Sequence, residues 1–196
     1  MEVIMNTVKI YNHEKSSIYL QSISVNDVSN NYVDWLNDPL VNQYLETRFS
    51  HQSIETVTSF VKSTLNNPNE YLFTIRTKDK CHIGNIKIGA INEHHGTGEV
   101  SLFIGDKNSW GKGYATLAIE LISYFAFFTL KLRKLSAGAY QTNIASTQAF
   151  IKSGYKMDGV KKAHYRSHGE IVDGVLVCLF SNEFKASNSL KVEQSN

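Results

Sequence analysis

The spacing of apolar residues predicts a strand over 18–23 and then a series of helices in the first third of the chain. Ser24 to Asp27 is typical of a helix-capping sequence, and apolar residues at helical spacing follow it. Asp38-Pro39 is typical of a second helix start and predicts a short helix over 40–45. A third helix is predicted over 54–65, where apolar residues recur on one face. The second and third of these helices are candidates for a lid.

The remainder of the chain alternates as β-strands, with two helices between them. Strands are predicted over 71–76, 82–91, 99–105, 134–140, 155–164 and 175–180. One helix is predicted from Gly111 to about residue 129, and another over 144–152. This order favours an α+β fold with a mixed sheet, in which a strand-helix-strand crossover joins two parallel strands.

A glycine-rich loop over 108–116 joins the strand over 99–105 to its following helix. The first N–H groups of a helix lack intrahelical partners, so such a junction favours an anion. Gly111 and Gly113 allow close backbone approach, and Lys112 adds a positive charge. Lys112 lies between the glycines and Thr116 replaces a third glycine, so the spacing matches neither a P-loop nor a dinucleotide fingerprint. A simple strand-to-helix turn remains the alternative.

Composition narrows the class of protein. The chain has 196 residues, of which 42% are hydrophobic and 19% charged, as in a globular protein with one core. We expect a single domain over 1–184 and a disordered polar tail over 185–196. The net charge of +2 is dispersed, so nucleic acid is not an expected partner. The apolar runs are too short for a membrane span, and residues 1–15 lack a secretory apolar core, which favours the cytoplasm.

Neither the cysteines nor the histidines suggest a metal centre. Cys81 and Cys178 are far apart, which argues against a disulfide framework or a thiolate zinc site, and both are expected to be inert thiols on strands. His94 and His95 are adjacent and would point in opposite directions on an extended chain. His164 with His168 lacks a helical context. No metal is therefore expected.

Two motifs together resemble the GNAT superfamily of acetyl-CoA-dependent N-acetyltransferases, and within it the branch of ribosomal-protein alanine N-acetyltransferases. The first is the loop Trp110-Gly111-Lys112-Gly113-Tyr114-Ala115-Thr116, and the second is Asn143-Ile144-Ala145-Ser146 followed by Gly154-Tyr155. Supporting matches are the segment 35–39 and Asp173, so the resemblance covers 18–184. It implies a three-layer fold with helices on both faces of a mixed, mostly antiparallel sheet, splayed between the strands 99–105 and 134–140.

The resemblance also implies which residues hold the donor. The strand backbone would line the pantetheine arm, the loop N–H groups would bind the pyrophosphate, and the second motif would contact the cofactor. The residues so assigned to acetyl-CoA are Leu102, Phe103, Ile104, Trp110, Gly111, Lys112, Gly113, Tyr114, Ala115, Asn143 and Ser146. For Asn143 and Ser146 a plain helix start is the alternative reading.

Transfer to an amine requires a base, because an alkyl amine with a pKa near 10 is only about one part in a thousand neutral at pH 7. Glu99 is the first candidate, since several superfamily members place a catalytic glutamate at this point of the strand. His164 is the second, at a place where the ribosomal branch has a glutamate. Ser146 is the candidate acid for the leaving thiolate, because Phe150 occupies the usual tyrosine position. An exposed strand-end carboxylate and a helix cap are the alternatives for Glu99 and Ser146.

The sequence says least about which amine is the acceptor. Glu46 and Arg48 lie in the aromatic-rich patch 44–49 and are candidates for substrate binding, with plain lid packing as the alternative. The expected acceptor is the amino group of a nucleotide-linked sugar or the α-amine of a protein N-terminus. The sugar is slightly favoured, because residues 35–49, the front segment, resemble those of acetyltransferases in surface-polysaccharide pathways. A non-catalytic CoA-binding regulatory or interaction module is the rival function. A homodimer is one open form of assembly.

Overall fold

The computed structural model describes residues 7–14 and 17–195, which contain one nine-stranded sheet. Its strands are β1 (Thr7–Asn12), β2 (Ile18–Ser22), β3 (Tyr71–Thr77), β4 (His82–Asn92), β5 (Thr97–Ile104), β6 (Lys134–Tyr140), β7 (Lys156–Ser167), β8 (Glu170–Phe180) and β9 (Leu190–Ser195). Their order across the sheet is β7-β8-β6-β5-β4-β3-β2-β1-β9. Only β5 and β6 pair in parallel among these neighbours, which confirms the mixed, mostly antiparallel α+β sheet.

Helices cover both faces of the sheet, as predicted. They are α1 (Asn30–Asn37), α2 (Pro39–Asn42), α3 (Ile54–Leu65), α4 (Tyr114–Tyr124) and α5 (Ile144–Lys152). Adjacent strand residues point to opposite faces. Accordingly, Leu72 packs in a core with residues of α1 and α3, whereas Phe73 packs in the larger core with residues of α4 and α5. No helix in the described part of the chain is both long and apolar enough to cross a membrane.

The front helices differ in detail from their predictions. Ser24 caps a single 3₁₀ turn, Val25–Asp27, and α1 begins only after Ser29, whose side chain accepts the Tyr32 N–H at 3.3 Å. Helix α2 is one turn long, because it ends at Asn42. The predicted start at Asp38 is therefore confirmed, whereas the predicted cap of the first helix was wrong, because Ser29 and not the Ser24–Asp27 segment caps α1.

The C-terminal tail is a correction, since the expected disorder does not hold for residues 190–195. They form β9 and pair with β1 from Thr7 to Asn12 in antiparallel register. Leu190 is 2% exposed and belongs to the larger core. The partner strand lies about 180 residues away in sequence, so local polarity could not reveal the pairing.

The sheet splits between β5 and β6. Their parallel pairing is confined to Thr97–Lys134, Gly98–Leu135 and Glu99–Ser136. Beyond this point β5 continues to Ile104 and β6 to Tyr140 without pairing to each other. The splay thus lies where the family resemblance predicted it, and Glu99 is the last residue of β5 that pairs with β6.

Candidate active site

The glycine-rich loop has the geometry of an anion cradle. Gly111 and Gly113 adopt φ of 74° and 77°, a left-handed region that favours glycine. A β-carbon at either position would meet no atom within 4 Å, so the space above the loop is open. Leu117 donates the first bond of α4, to the Gly113 carbonyl at 3.1 Å. The three preceding N–H groups therefore lie at the partly positive helix end, and the loop fits a pyrophosphate.

Front-segment contacts hold this loop against β5. Trp35 packs on Gly105, where a β-carbon would lie 2.1 Å from the indole. Asp38 caps α2 and pairs with Lys107 at 2.5 Å, which links the front segment to the start of the loop. Trp110 is 43% exposed and donates its indole N–H to the Ile104 carbonyl at 2.8 Å. The loop position is thus defined from both sides.

The backbone N–H and carbonyl groups of every second residue of β5 point into the cleft, which is the gap between β5 and β6 beyond Glu99. Gly105 donates to the Ile83 carbonyl of β4 at 2.8 Å, whereas the Ile104 carbonyl faces the splayed side and accepts from Trp110. Because backbone groups of alternate residues share a direction, Leu102 also faces the cleft. Phe103 does not. A β-carbon at Gly84 would lie 2.3 Å from its carbonyl oxygen, which places that group on the β4 side.

Phe103 is therefore a correction to the predicted lining. Its ring stacks on Tyr32, with centroids 6.0 Å apart, in the core under α1 and α3. The same alternation assigns Val100 to the cleft-facing set, a residue that sequence reasoning missed. Counting every second residue of the strand back from Leu102 would have identified Val100.

The second motif forms the start of α5. Asn143 is the N-cap, and its side-chain oxygen accepts the Ser146 N–H at 3.2 Å. Ser146 is half-buried in the first turn. Phe150 is 3% exposed and packs edge-on against Tyr155 at 5.0 Å, so the position of the usual tyrosine acid belongs to the core. The helix-start reading therefore holds for Asn143.

Three tyrosine rings pack together beside the C-terminal end of β6, which is unpaired with β5. Tyr140 and Tyr165 stack with centroids 4.1 Å apart, and Tyr44 lies 5.8 Å from Tyr140. Tyr44 donates to the Thr142 carbonyl at 3.2 Å, which fastens the front segment to the chain after β6. We call Tyr44, Tyr140 and Tyr165 the tyrosine wall. Sequence reasoning missed Tyr140 and Tyr165, because three distant segments must meet to build it.

Glu46 and Arg48 both meet the tyrosine wall, in different ways. The Tyr140 hydroxyl donates to Glu46 at 2.7 Å and accepts from Arg48 at 2.8 Å. Arg48 also donates to the Leu45 and Arg166 carbonyls at 3.0 and 3.2 Å, so its guanidinium braces the wall. The Arg48 side chain is 16% exposed, whereas that of Glu46 is 71% exposed. Glu46 is thus the one of the pair open to a ligand.

Glu99 and His164 are the two candidate bases. Burial raises the pKa of Tyr165, and the negative charges of Glu46 and Glu99 raise it further. Glu99 is exposed at the point of the splay. His164 is exposed, and its ring meets Tyr165 edge-on at 4.7 Å. Of the predicted residues, Glu46 thus contacts the tyrosine wall through Tyr140 and His164 contacts it through Tyr165, whereas Glu99 lies where the splay begins.

The remaining predictions concern metals and thiols. Within the described residues, no group of three or more His, Cys, Asp or Glu side chains could hold a metal ion. Cys178 is buried on β8, whereas Cys81 is exposed in the turn before β4 and not on a strand as expected. Both thiols are free.

The sequence is similar to those of known N-acetyltransferases. The chain is similar to the uncharacterized N-acetyltransferase p20 of Bacillus licheniformis, at 23% identity over 116 residues that cover 59% of this chain and 64% of that relative. The chain therefore spans less than two thirds of this curated relative.

Two solved structures share the fold. The spermidine N-acetyltransferase of Vibrio cholerae, in complex with CoA and spermine, has a TM-score of 0.77 and 18% identity, covering 85% of this chain and 97% of that one. Mycobacterium smegmatis RimJ, in complex with CoA-disulfide, has a TM-score of 0.77 and 15% identity, covering 93% of this chain and 90% of that one. Residues 18–156, well over half of the sequence, match the acetyltransferase (GNAT) domain, and the chain belongs to this family.

Proposed function

We propose that this protein transfers the acetyl group of acetyl-CoA directly to a primary amine, without an acyl-enzyme. The observation that carries the proposal is the splay after Glu99–Ser136, with an open helix N-terminus on one side and a tyrosine wall with carboxylates on the other. Such a gap lets a donor and an acceptor meet while each is held by a different part of the fold.

The donor fits the α4 side of the gap. The N–H groups at the start of α4 and the Lys112 charge would hold the pyrophosphate, and the cleft-facing backbone of Leu102 and Ile104 would pair with the pantetheine arm. Acetyl-CoA supplies a thioester carbonyl, which an uncharged amine can attack. Asn143 and Ser146, at the start of α5, would contact the donor near its thiol end.

Side chains around the gap between β5 and β6 would transfer the protons. Glu99 is proposed as the base that accepts the ammonium proton, directly or through water, because it lies where the two strands separate. His164 is the second candidate, and its ring contacts that of Tyr165. The Ser146 hydroxyl is proposed to donate a hydrogen bond to the leaving sulfur and to relay to it the second proton that the attacking nitrogen loses. Glu46 would hold the ammonium before transfer, whereas Arg48 braces Tyr140 rather than contacting substrate.

The proposed acceptor is the amino group of a nucleotide-linked sugar, with a protein N-terminus as the second acceptor. Lys161 is exposed and flanks Gly174 on the same side as Tyr165, since a β-carbon at Gly174 would lie 3.5 Å from the Lys161 β-carbon and 2.9 Å from the Tyr165 ring. A cation beside the wall suits a phosphate-bearing acceptor. It would repel a polyamine such as the substrate of the Vibrio cholerae relative.

An acceptor panel tests the proposal. The protein is incubated with acetyl-CoA and a nucleotide-linked amino sugar, a peptide with a free N-terminus, or spermidine, and CoA release and acetylated product are measured. We expect turnover with the sugar, and Lys161→Gln should raise its KM several-fold but not that of the peptide. Turnover with the peptide alone would overturn the sugar assignment. Binding of acetyl-CoA with no thiol release from any amine would favour the non-catalytic module.

A further inference from the structure

We propose that Asp173 is a positioning residue that sets the tyrosine wall and His164 in place. The inference rests on the proposed acceptor side of the reaction. Asp173 lies on β8, the strand between β7 and β6. It contacts both neighbours at the level where the wall is built.

A bulge in β7 creates the need for such a residue. Lys161 pairs with Gly174 and Tyr165 pairs with Val172, so residues 162–164 face Asp173 alone. Ala163, in the middle of the bulge, has a φ of 50°, a left-handed conformation that is unfavourable for alanine. Three residues opposite one break the regular ladder, which leaves backbone groups to be satisfied by other means.

The Asp173 carboxylate supplies the missing acceptor. One oxygen accepts the Ala163 N–H at 2.8 Å, and the other accepts from Lys162 at 2.8 Å. The ion pair with Lys162, followed by the Ala163 N–H, lowers the pKa of Asp173, so the carboxylate is charged at neutral pH. The strained bulge is therefore fixed by two bonds to one side chain.

The backbone of the same residue fixes the other half of the wall. The Asp173 carbonyl accepts the Gln141 N–H at 2.9 Å, directly after Tyr140 at the end of β6. Tyr140 in turn is level with Gly174 on β8. Asp173 thus joins the bulge that carries His164 and Tyr165 to the strand end that carries Tyr140. Its loss would change the relative placement of these side chains more than the fold itself.

The test compares Asp173→Ala, Asp173→Asn and a matched control, Asp158→Ala. Asp158 also pairs with a lysine, Lys134 at 2.9 Å, at the other β7 irregularity, away from His164. We expect Asp173→Ala to lower kcat/KM for the amine about tenfold or more, since a small misplacement of reacting groups is costly. The KM for acetyl-CoA should stay within about twofold. Asp173→Asn keeps one acceptor oxygen and should recover most of the activity, and Asp158→Ala should change neither constant.

A second readout does not depend on turnover. The ring-proton NMR signals of His164 report its contact with Tyr165, and they should shift in Asp173→Ala but not in Asp158→Ala. Unchanged His164 signals would overturn the positioning role, as would an equal loss of donor and acceptor affinity. If the native protein acetylates no amine but the His164 signals shift as expected, the proposed function fails while the positioning role stands.

Discussion

The ring of Tyr165 reaches across β8 and lies on the ring of Tyr140, with centroids 4.1 Å apart and planes inclined by 22°. Gly174 lies under this crossing, and a β-carbon there would come 2.9 Å from the Tyr165 ring. The stack therefore requires glycine at 174 for space. It brings side chains of β7 and β6 into contact across β8.

Gly174→Ala should displace Tyr165 and weaken acceptor use. The added methyl group occupies the space of the ring edge, so we expect kcat/KM for the amine to fall about tenfold, with little change in acetyl-CoA affinity. Steady-state kinetics with each substrate varied in turn measures the effect. Gly159→Ala on β7 is the control, because its β-carbon would meet only Leu176, at 4.0 Å. Equal losses in the two variants would contradict the prediction.

Glu99→Gln should lower kcat by about a hundredfold, because a neutral amide cannot accept the ammonium proton. His164→Ala should cost less, since Glu99 rather than His164 lies at the point where β5 and β6 separate. Single-turnover acetyl transfer compares the two, with Glu93→Gln in the exposed turn after β4 as control. A larger loss with His164→Ala would reassign the base to the histidine.

Gly113→Ala should weaken donor binding beyond its effect on stability. A left-handed φ of 77° costs an alanine about 1 kcal/mol, and relief of this strain would move the N–H groups that hold the pyrophosphate. Gly169→Ala is the matched control, because Gly169 has a φ of 85° and equally open space in the β7–β8 turn. Both variants should lower the Tm alike. Only Gly113→Ala should raise the Kd for CoA in calorimetry, and an unchanged Kd would count against the cradle.

Mild acid should destabilise the fold through His82. Burial lowers the pKa of this histidine below 6.5, with a hydrogen bond to Asn85 opposing the shift. The unfolded chain then binds the proton first as the pH falls below 6.5, so the free energy of unfolding decreases, by at most about 1.4 kcal/mol per pH unit. Denaturant unfolding between pH 7.5 and 5.5 measures this slope.

His82→Gln should flatten that pH dependence, whereas His94→Gln, in the exposed turn after β4, should retain it. A slope that persists in His82→Gln would assign the acid sensitivity to other groups. Carboxylates contribute only at lower pH, because their ordinary pKa values lie near 4.

The sequence alone predicted most of the proposed donor side of this protein. Trp110 to Thr116 and Asn143 to Ser146 are short local motifs, and helix starts and glycine turns depend on neighbouring residues. The order of strands and helices, and the splay beginning at Glu99, also follow from local periodicity and the family resemblance. These features needed no knowledge of distant contacts.

Tertiary structure decided the proposed acceptor side and the register between strands. The tyrosine wall joins residues 44, 140 and 165, and its support by Asp173 depends on a bulge that periodicity does not show. The pairing of β9 with β1, and the turning of Phe103 away from the cleft, likewise depend on register between strands. Local propensity determines elements, whereas register and long-range pairing are set by the packing of the whole sheet. For that reason the sequence identifies the donor, and the fold is needed to reason about the acceptor.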